Sequence, residues 1–224
     1  MIVIENTDVY GWEAAIRGMR NPMNSWDKSD SEFEYEIYDS ESNFFRSEPC
    51  LSIGDNDHDL MMRLAKGGPV HAKYRRMIVV YVDITAPLYW WKEFDTYKVG
   101  TTANSCSTMH KIHEKEITLD DFSHEHLESF HGEHINFTGV LDFVVDSLNV
   151  ARRLYLETKD KTYWWQMIQL LPTSYNQRRT VMLNYEVLAN MYKSRKDHKL
   201  DEWMEFCRWI ETLPYSELIT GVEV

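Results

Sequence analysis

The amino-acid sequence predicts an α+β fold, on two observations. Short runs rich in β-branched and aromatic residues stand at Met1–Glu5 and Met77–Val82. Elsewhere apolar residues recur every three or four positions, the period of a helix that buries one face. With 224 residues, 43% hydrophobic and 13% aromatic, the chain can bury the core of one domain, and a single domain over 1–224 is expected.

Met1–Glu5 predicts a first strand and Gly11 to Arg20 an amphipathic helix with Trp12, Ala15, Ile16 and Met19 on one side. From Asn24 to Glu48 Ser, Asp and Glu are dense, which reads as a solvated helix or loop pinned by Phe33, Tyr35, Phe44 and Phe45. Asp57 to Lys66 is helical through Leu60, Met61 and Leu64, and Gly67-Gly68-Pro69 stops it. Met77–Val82 is a buried strand. Thr85 is then a fair N-cap, and Pro87 sits where a helix begins, because proline fixes φ near the helical value and lacks an N–H that the first turn would leave unused. Leu88, Trp91 and Phe94 can share one face of that helix with Trp90 flanking it, and Gly100 ends the helix or loosens the chain beyond it. TTANSCSTMH follows, with hydroxyls and amides and almost no apolar content, a loop that suits a polar ligand better than a core.

The last ninety residues read as helices. Leu141, Val144, Leu148, Ala151 and Tyr155 define one buried stripe, and Trp164, Trp165, Ile168 and Leu171 begin another helix that Pro172 ends. A final helix carries Trp203, Phe206, Cys207 and Ile210 inward, with Arg208 a cation near a site.

A formal charge of −12 argues against a nucleic-acid polymer, which is held mainly by surplus Lys and Arg. No apolar run approaches a membrane span, and the first residues lack the basic start and apolar stretch of a signal peptide. Three widely spaced cysteines suit a reduced, cytoplasmic protein. Six of the nine histidines fall between His110 and His134. His110 and His113 could share a helical face and His124 and His126 could chelate from an extended segment, but no HExxH or paired-Cys motif accompanies them. A surface loop with pH-sensitive charge is the reading, and no metal is expected.

Two stretches resemble the flavin-dependent thymidylate synthases (ThyX). That family carries Arg-His-Arg, two residues, Ser, one residue, Asn, two residues, Ser, one residue, Arg-Tyr, after a strand, an Ala-Pro and an aromatic-rich helix. YKVGTTANSCSTMH falls on that spacing, with Thr102, Asn104 and Ser107 at the hydrogen-bonding positions. Tyr97, Lys98 and Val99 replace the basic triplet, or Thr96, Tyr97 and Lys98 if the register is fixed at Ala86-Pro87; Lys98 then keeps a positive charge. Met109 and His110 replace Arg-Tyr. The second stretch, LPTSYNQRRTVMLNYEVLANMYKSR, matches the family's Leu-Pro and later Asn and Arg positions through Leu171, Pro172, Arg178, Asn184, Leu188 and Arg195. Glu186 stands where the family has an arginine for the nucleotide phosphate, and LAKGGPVHAKYRRMIVV places His71 on a family position, a lone histidine that more often hydrogen-bonds than catalyses.

The resemblance implies helices packed around a small, mostly antiparallel sheet and a homotetramer with active sites between subunits. It also implies Lys98, Thr102, Asn104, Ser107 and His71 as contacts to FAD, and Arg178, Glu186 and Arg195 at a dUMP-type nucleotide. An enzyme of this kind passes a one-carbon unit to a pyrimidine with electrons from the flavin and needs no cysteine nucleophile, so Cys106 is expected to be a small packed residue. The other implied reading is a binding protein that keeps fold and pocket without the reaction, since several phosphate-facing cations are replaced.

Overall fold

The computed structural model describes residues 1–34, 50–129 and 136–221. Tyr35, Phe44 and Phe45, expected to pin the acidic stretch, lie outside them. Four strands form the main sheet: β1 (Val3–Tyr10), β4 (Val79–Pro87), β6 (Asn176–Asn184) and β5 (Thr102–Ser105), side by side in that order and antiparallel throughout. A bulge between Glu5 and Asp8 interrupts β1 at Asn6, whose φ is 52°. β2 (Glu32–Glu34) and β3 (Cys50–Ser52) pair separately.

Alternation along the strands decides which face is covered. On β4, Val80, Val82, Ile84 and Ala86 are fully buried, and on β6 so are Val181 and Leu183. These residues meet a helical layer of α1 (Trp12–Arg20), α3 (Leu88–Phe94), α7 (Tyr185–Arg195) and α8 (Asp201–Glu211), joined by α2 (Asp55–Lys66) and α9 (Glu217–Thr220). Trp90 and Trp91 of α3 contribute to an aromatic cluster with Phe94, Trp203 and Phe206, in which the Trp90 and Trp203 rings lie 4.8 Å apart. Gly11 precedes α1 with φ +97°, and a Cβ there would stand 2.1 Å from the Met77 carbonyl oxygen, so the turn onto β4 excludes any side chain.

A second apolar cluster joins α5 (Phe137–Thr158) to α6 (Lys161–Leu170) through Leu141, Val145, Leu148, Ala151 and Met167, against Ile112, Ile117 and Phe122. Both helices begin on side-chain caps: Asn136 accepts from the Gly139 N–H and Asp160 from that of Thr162. Among the described residues no helix is long and apolar enough to cross a membrane.

Three expectations are corrected. Residues 176–184 form a central strand rather than a helix. TTANSCSTMH is not wholly loop, since it holds β5 and begins the short helix α4 (Thr108–Lys111). Thr85 lies within β4 and caps nothing; the Leu88 and Tyr89 N–H groups at the start of α3 donate instead to the Tyr175 and Thr173 carbonyls, which satisfies donors a cap would otherwise serve.

Candidate functional site

Because Val181 and Leu183 face the helices, Arg178, Thr180 and Met182 project from the opposite face of β6. Antiparallel register puts Thr85, Asp83 and Tyr81 of β4 beside them, and Asn104 and Thr102 of β5 opposite Thr180 and Met182. Residues directly paired in an antiparallel sheet share a face. Thr102, Asn104 and Arg178, nominated from two distant stretches, therefore stand together on one open surface of the sheet.

Asp83 is the hub of that surface. It accepts from Thr180 Oγ1 at 2.5 Å, from Asn6 Nδ2 at 2.9 Å and from Arg178 Nη2 at 2.9 Å, while Arg178 Nη1 reaches Glu5 at 2.8 Å. The Thr180 hydroxyl first, then Asn6 and Arg178, hold the Asp83 carboxyl down at about 2. The guanidinium of Arg178 thus faces two carboxylates.

Around this face, Cys106 is exposed rather than packed; its N–H donates to the Arg178 carbonyl, because it continues the edge pairing of β5 past the last strand residue. Ser107 N-caps α4, its hydroxyl accepting from the His110 N–H at 3.3 Å. Lys98 is exposed in the turn before Gly100. Gly100 has φ +83° and lies against Asn184 and Val187 at the start of α7, where a Cβ would be 2.9 Å from Val187 Cγ2. His71 is exposed at the head of a 3-10 turn over Ala72–Arg76, with its ring beside Gly67.

Glu186 and Arg195 belong to the helical layer instead. Glu186 is buried against Arg75, which donates through Nη2 at 2.7 Å and through Nε at 2.9 Å, and Arg75 also donates to the Leu218 carbonyl. Arg195 donates to Tyr97 Oη at 3.0 Å and to Glu93 at 2.8 Å, and its guanidinium lies 4.7 Å from the Trp203 ring centre. Glu93 also accepts from Trp203 Nε1 at 2.9 Å. Within one chain these two residues are not on the face that holds Asn104 and Arg178. Arg208 is paired with Glu205 on the surface. Arg179, next to Arg178 in sequence, points to the helical side, 4.2 Å above the Trp91 ring and 2.8 Å from Asp95.

Among the described residues no three His, Cys, Asp or Glu side chains are placed to hold a metal ion. His131 and His134 lie outside those residues. His124 bonds the Phe122 carbonyl and His126 meets Asp201.

The sequence reading missed Asp83, Glu5, Asn6, Thr180 and Glu93. Asp83 alone left a signal: it is a charged residue at an outward position of an otherwise apolar alternating run, Val-Val-Tyr-Val-Asp-Ile. The others acquire meaning only through pairings across the chain.

No protein-family model and no curated relative matches the chain. Solved structures do. Thymidylate Synthase X (ThyX) from Helicobacter pylori, with FAD and dUMP, is similar with a TM-score of 0.65 at 16% identity, over 99% of this chain and 98% of that one. A second Helicobacter pylori flavin-dependent thymidylate synthase structure, complexed with FAD and dUMP, gives 0.64 at 16% identity, over 98% of each chain. The UMP/dUMP methylase PolB from Streptomyces cacaoi, bound with 5-Br dUMP, gives 0.61 at 16% identity, over 99% and 95%. Helices packed on a small antiparallel sheet, matched along nearly the whole length of these structures, make this a ThyX-like α+β fold.

Proposed function

We propose that this chain is a divergent relative of the flavin-dependent thymidylate synthases that binds FAD and a dUMP-type nucleotide on the open face of its sheet, as a cytoplasmic, single-domain homotetramer. The observation that carries the reading is the placement of Thr102 and Asn104 on the same face as Arg178 and Thr180, in the fold of proteins crystallised with those two ligands. The hydroxyls of Thr102 and Thr180 and the amide of Asn104 suit the carbonyls and N–H groups of a flavin or pyrimidine ring. Arg178 suits a phosphate once that phosphate takes the place of Glu5 or Asp83 on its fork. Bound FAD would supply the electrons for one-carbon transfer. The residues named here bind and orient.

A binding protein without the reaction is the second reading. It is favoured by one observation: Arg75, Arg178, Arg179 and Arg195 each already face a carboxylate of the same chain. Calorimetric titration of the purified chain with FAD and with dUMP, beside its visible spectrum, separates the two. Flavin absorbance near one per chain together with dUMP binding supports the enzyme, nucleotide binding by colourless protein that ignores FAD supports the second reading, and binding of neither ends both.

A further inference from the structure

One row of side chains on the open face crosses all four strands of the sheet. Glu5 pairs with Asp83, Asp83 with Thr180, and Thr180 with Asn104. At about 4.8 Å from strand to strand the row spans roughly 14 Å, a length that one nucleotide can cover lying across the strands. Its two ends differ in chemistry. Asn104, beside Thr102 and Thr180, offers both donors and acceptors to a pyrimidine ring, whereas Glu5 offers a charged acceptor alone.

Glu5 is held in place with one oxygen to spare. Arg178 Nη1 donates to Glu5 Oε2 at 2.8 Å, and among the described residues nothing donates to Oε1. The side chain is 47% exposed, so a ligand can reach it. It is the last residue before the β1 bulge, where Asn6 turns at φ 52° and donates to Asp83, so the backbone fixes where Glu5 stands. Asp83, by contrast, already accepts from Thr180, Asn6 and Arg178. Asp8 shares the face through its pairing with Tyr81, which puts three carboxylates of β1 and β4 beside the guanidinium of Arg178. The part of a ligand that meets Glu5 must therefore donate hydrogen bonds, and a phosphate is repelled there.

We propose that Glu5 selects ribose over deoxyribose, so that the pyrimidine nucleotide taken by this face is a ribonucleotide. The inference rests on the nucleotide-binding reading given above. The 2′- and 3′-hydroxyls of a ribose lie side by side and both donate to the Glu5 carboxylate, at Oε1 and at the lone pair that Arg178 leaves on Oε2. A 2′-deoxyribose supplies only one of these donors. Arg178 keeps Glu5 on Nη1 and turns Nη2 to the 5′-phosphate, while the Asp83 that releases it retains Thr180 and Asn6. The adenosine half of FAD carries the same vicinal diol, and the experiment separates the two sources.

Calorimetric titration of the full chain with UMP, dUMP, AMP and dAMP tests it, with far-ultraviolet circular dichroism as the check on folding. The wild type is expected to bind UMP about tenfold more tightly than dUMP, the scale of one charge-assisted hydrogen bond at an exposed site. Glu5→Ala is expected to bring that ratio close to one. The ratio is the readout, because losing Glu5 also frees an arm of Arg178 for the phosphate and strengthens both ligands alike. Should Glu5→Ala lose its folded signal, Glu5→Gln decides in its place, with the ratio expected to fall roughly threefold as the acceptor loses its charge. Equal affinity for UMP and dUMP in the wild type, an unchanged ratio in the folded variant, or a ribose preference confined to the adenine pair overturns the proposal and leaves the nucleotide-binding reading standing. Binding of none of the four ends both.

Discussion

Arg75 and Glu186 form an ion pair almost without access to water, with the two side chains 10% and 7% exposed and Nη2 2.7 Å from the carboxylate. The carboxylate that stands where the resemblance has a phosphate-binding arginine is therefore part of the frame between the 3-10 turn, α7 and α9. Removing one partner of such a pair leaves a buried charge unmatched, at a cost of roughly 3–5 kcal/mol. Glu186→Ala is expected to lose about that much in guanidinium unfolding, and Glu186→Arg at least as much, because two guanidinium groups would then share one buried space. Arg75→Met with Glu186→Leu should recover most of the loss, short of the bond to the Leu218 carbonyl.

Asp83 ties the open face to acid. Its folded value, about 2, lies below the ordinary 3.8, so its contribution to stability is present above 3.8 and is lost as pH falls through about 2. Thr180→Val removes the largest cause. The Asp83 carboxyl carbon, followed by NMR titration, is expected to titrate closer to 3.8 in that variant; an unchanged midpoint would assign the effect to Asn6 and Arg178 alone.

Asn104 is exposed on an edge strand, so Asn104→Ala should unfold at the wild-type midpoint. Its affinity for dUMP or FAD in calorimetry should fall roughly two- to thirteenfold, the net worth of one hydrogen bond at about 0.5–1.5 kcal/mol. Unaltered affinity would remove the residue from the site.

Glu93 holds Arg195 at 2.8 Å. Glu93→Gln keeps a group for the Trp203 indole while removing the charge opposite the guanidinium. If Arg195 takes part in phosphate recognition, dUMP binds several-fold tighter in this variant. Equal affinity in the two proteins would leave Arg195 a packing residue between Tyr97 and Trp203.

The helices α1, α2, α5, α6 and α8 were legible because each repeats apolar residues at helical spacing over two turns or more. β6 was not. Its inward positions begin with Gln177 and Arg179, so apolar alternation starts only at Val181, and Val-Met-Leu suits a helix as well as a strand. β5 was hidden for another reason: it pairs on one side only and all four residues are exposed, so no burial pattern is written into it. The open-face positions Thr102, Asn104 and Arg178 came from resemblance in two stretches, and pairing β5 with β6 brought them together. The carboxylates that hold the arginines were out of reach, since Asp83 and Arg178 are 95 residues apart and Arg75 and Glu186 are 111.

The adjacent arginines of β6, one on each side of the sheet, have a consequence for strand alignment. Sliding β6 by a single position would drive Arg178 into the tryptophan layer and turn Val181 and Leu183 out to water. Glu5 and Asp83 above the sheet and Asp95 below it therefore act as alignment pins, which select one reading frame for a strand whose leading half carries no apolar pattern to do so.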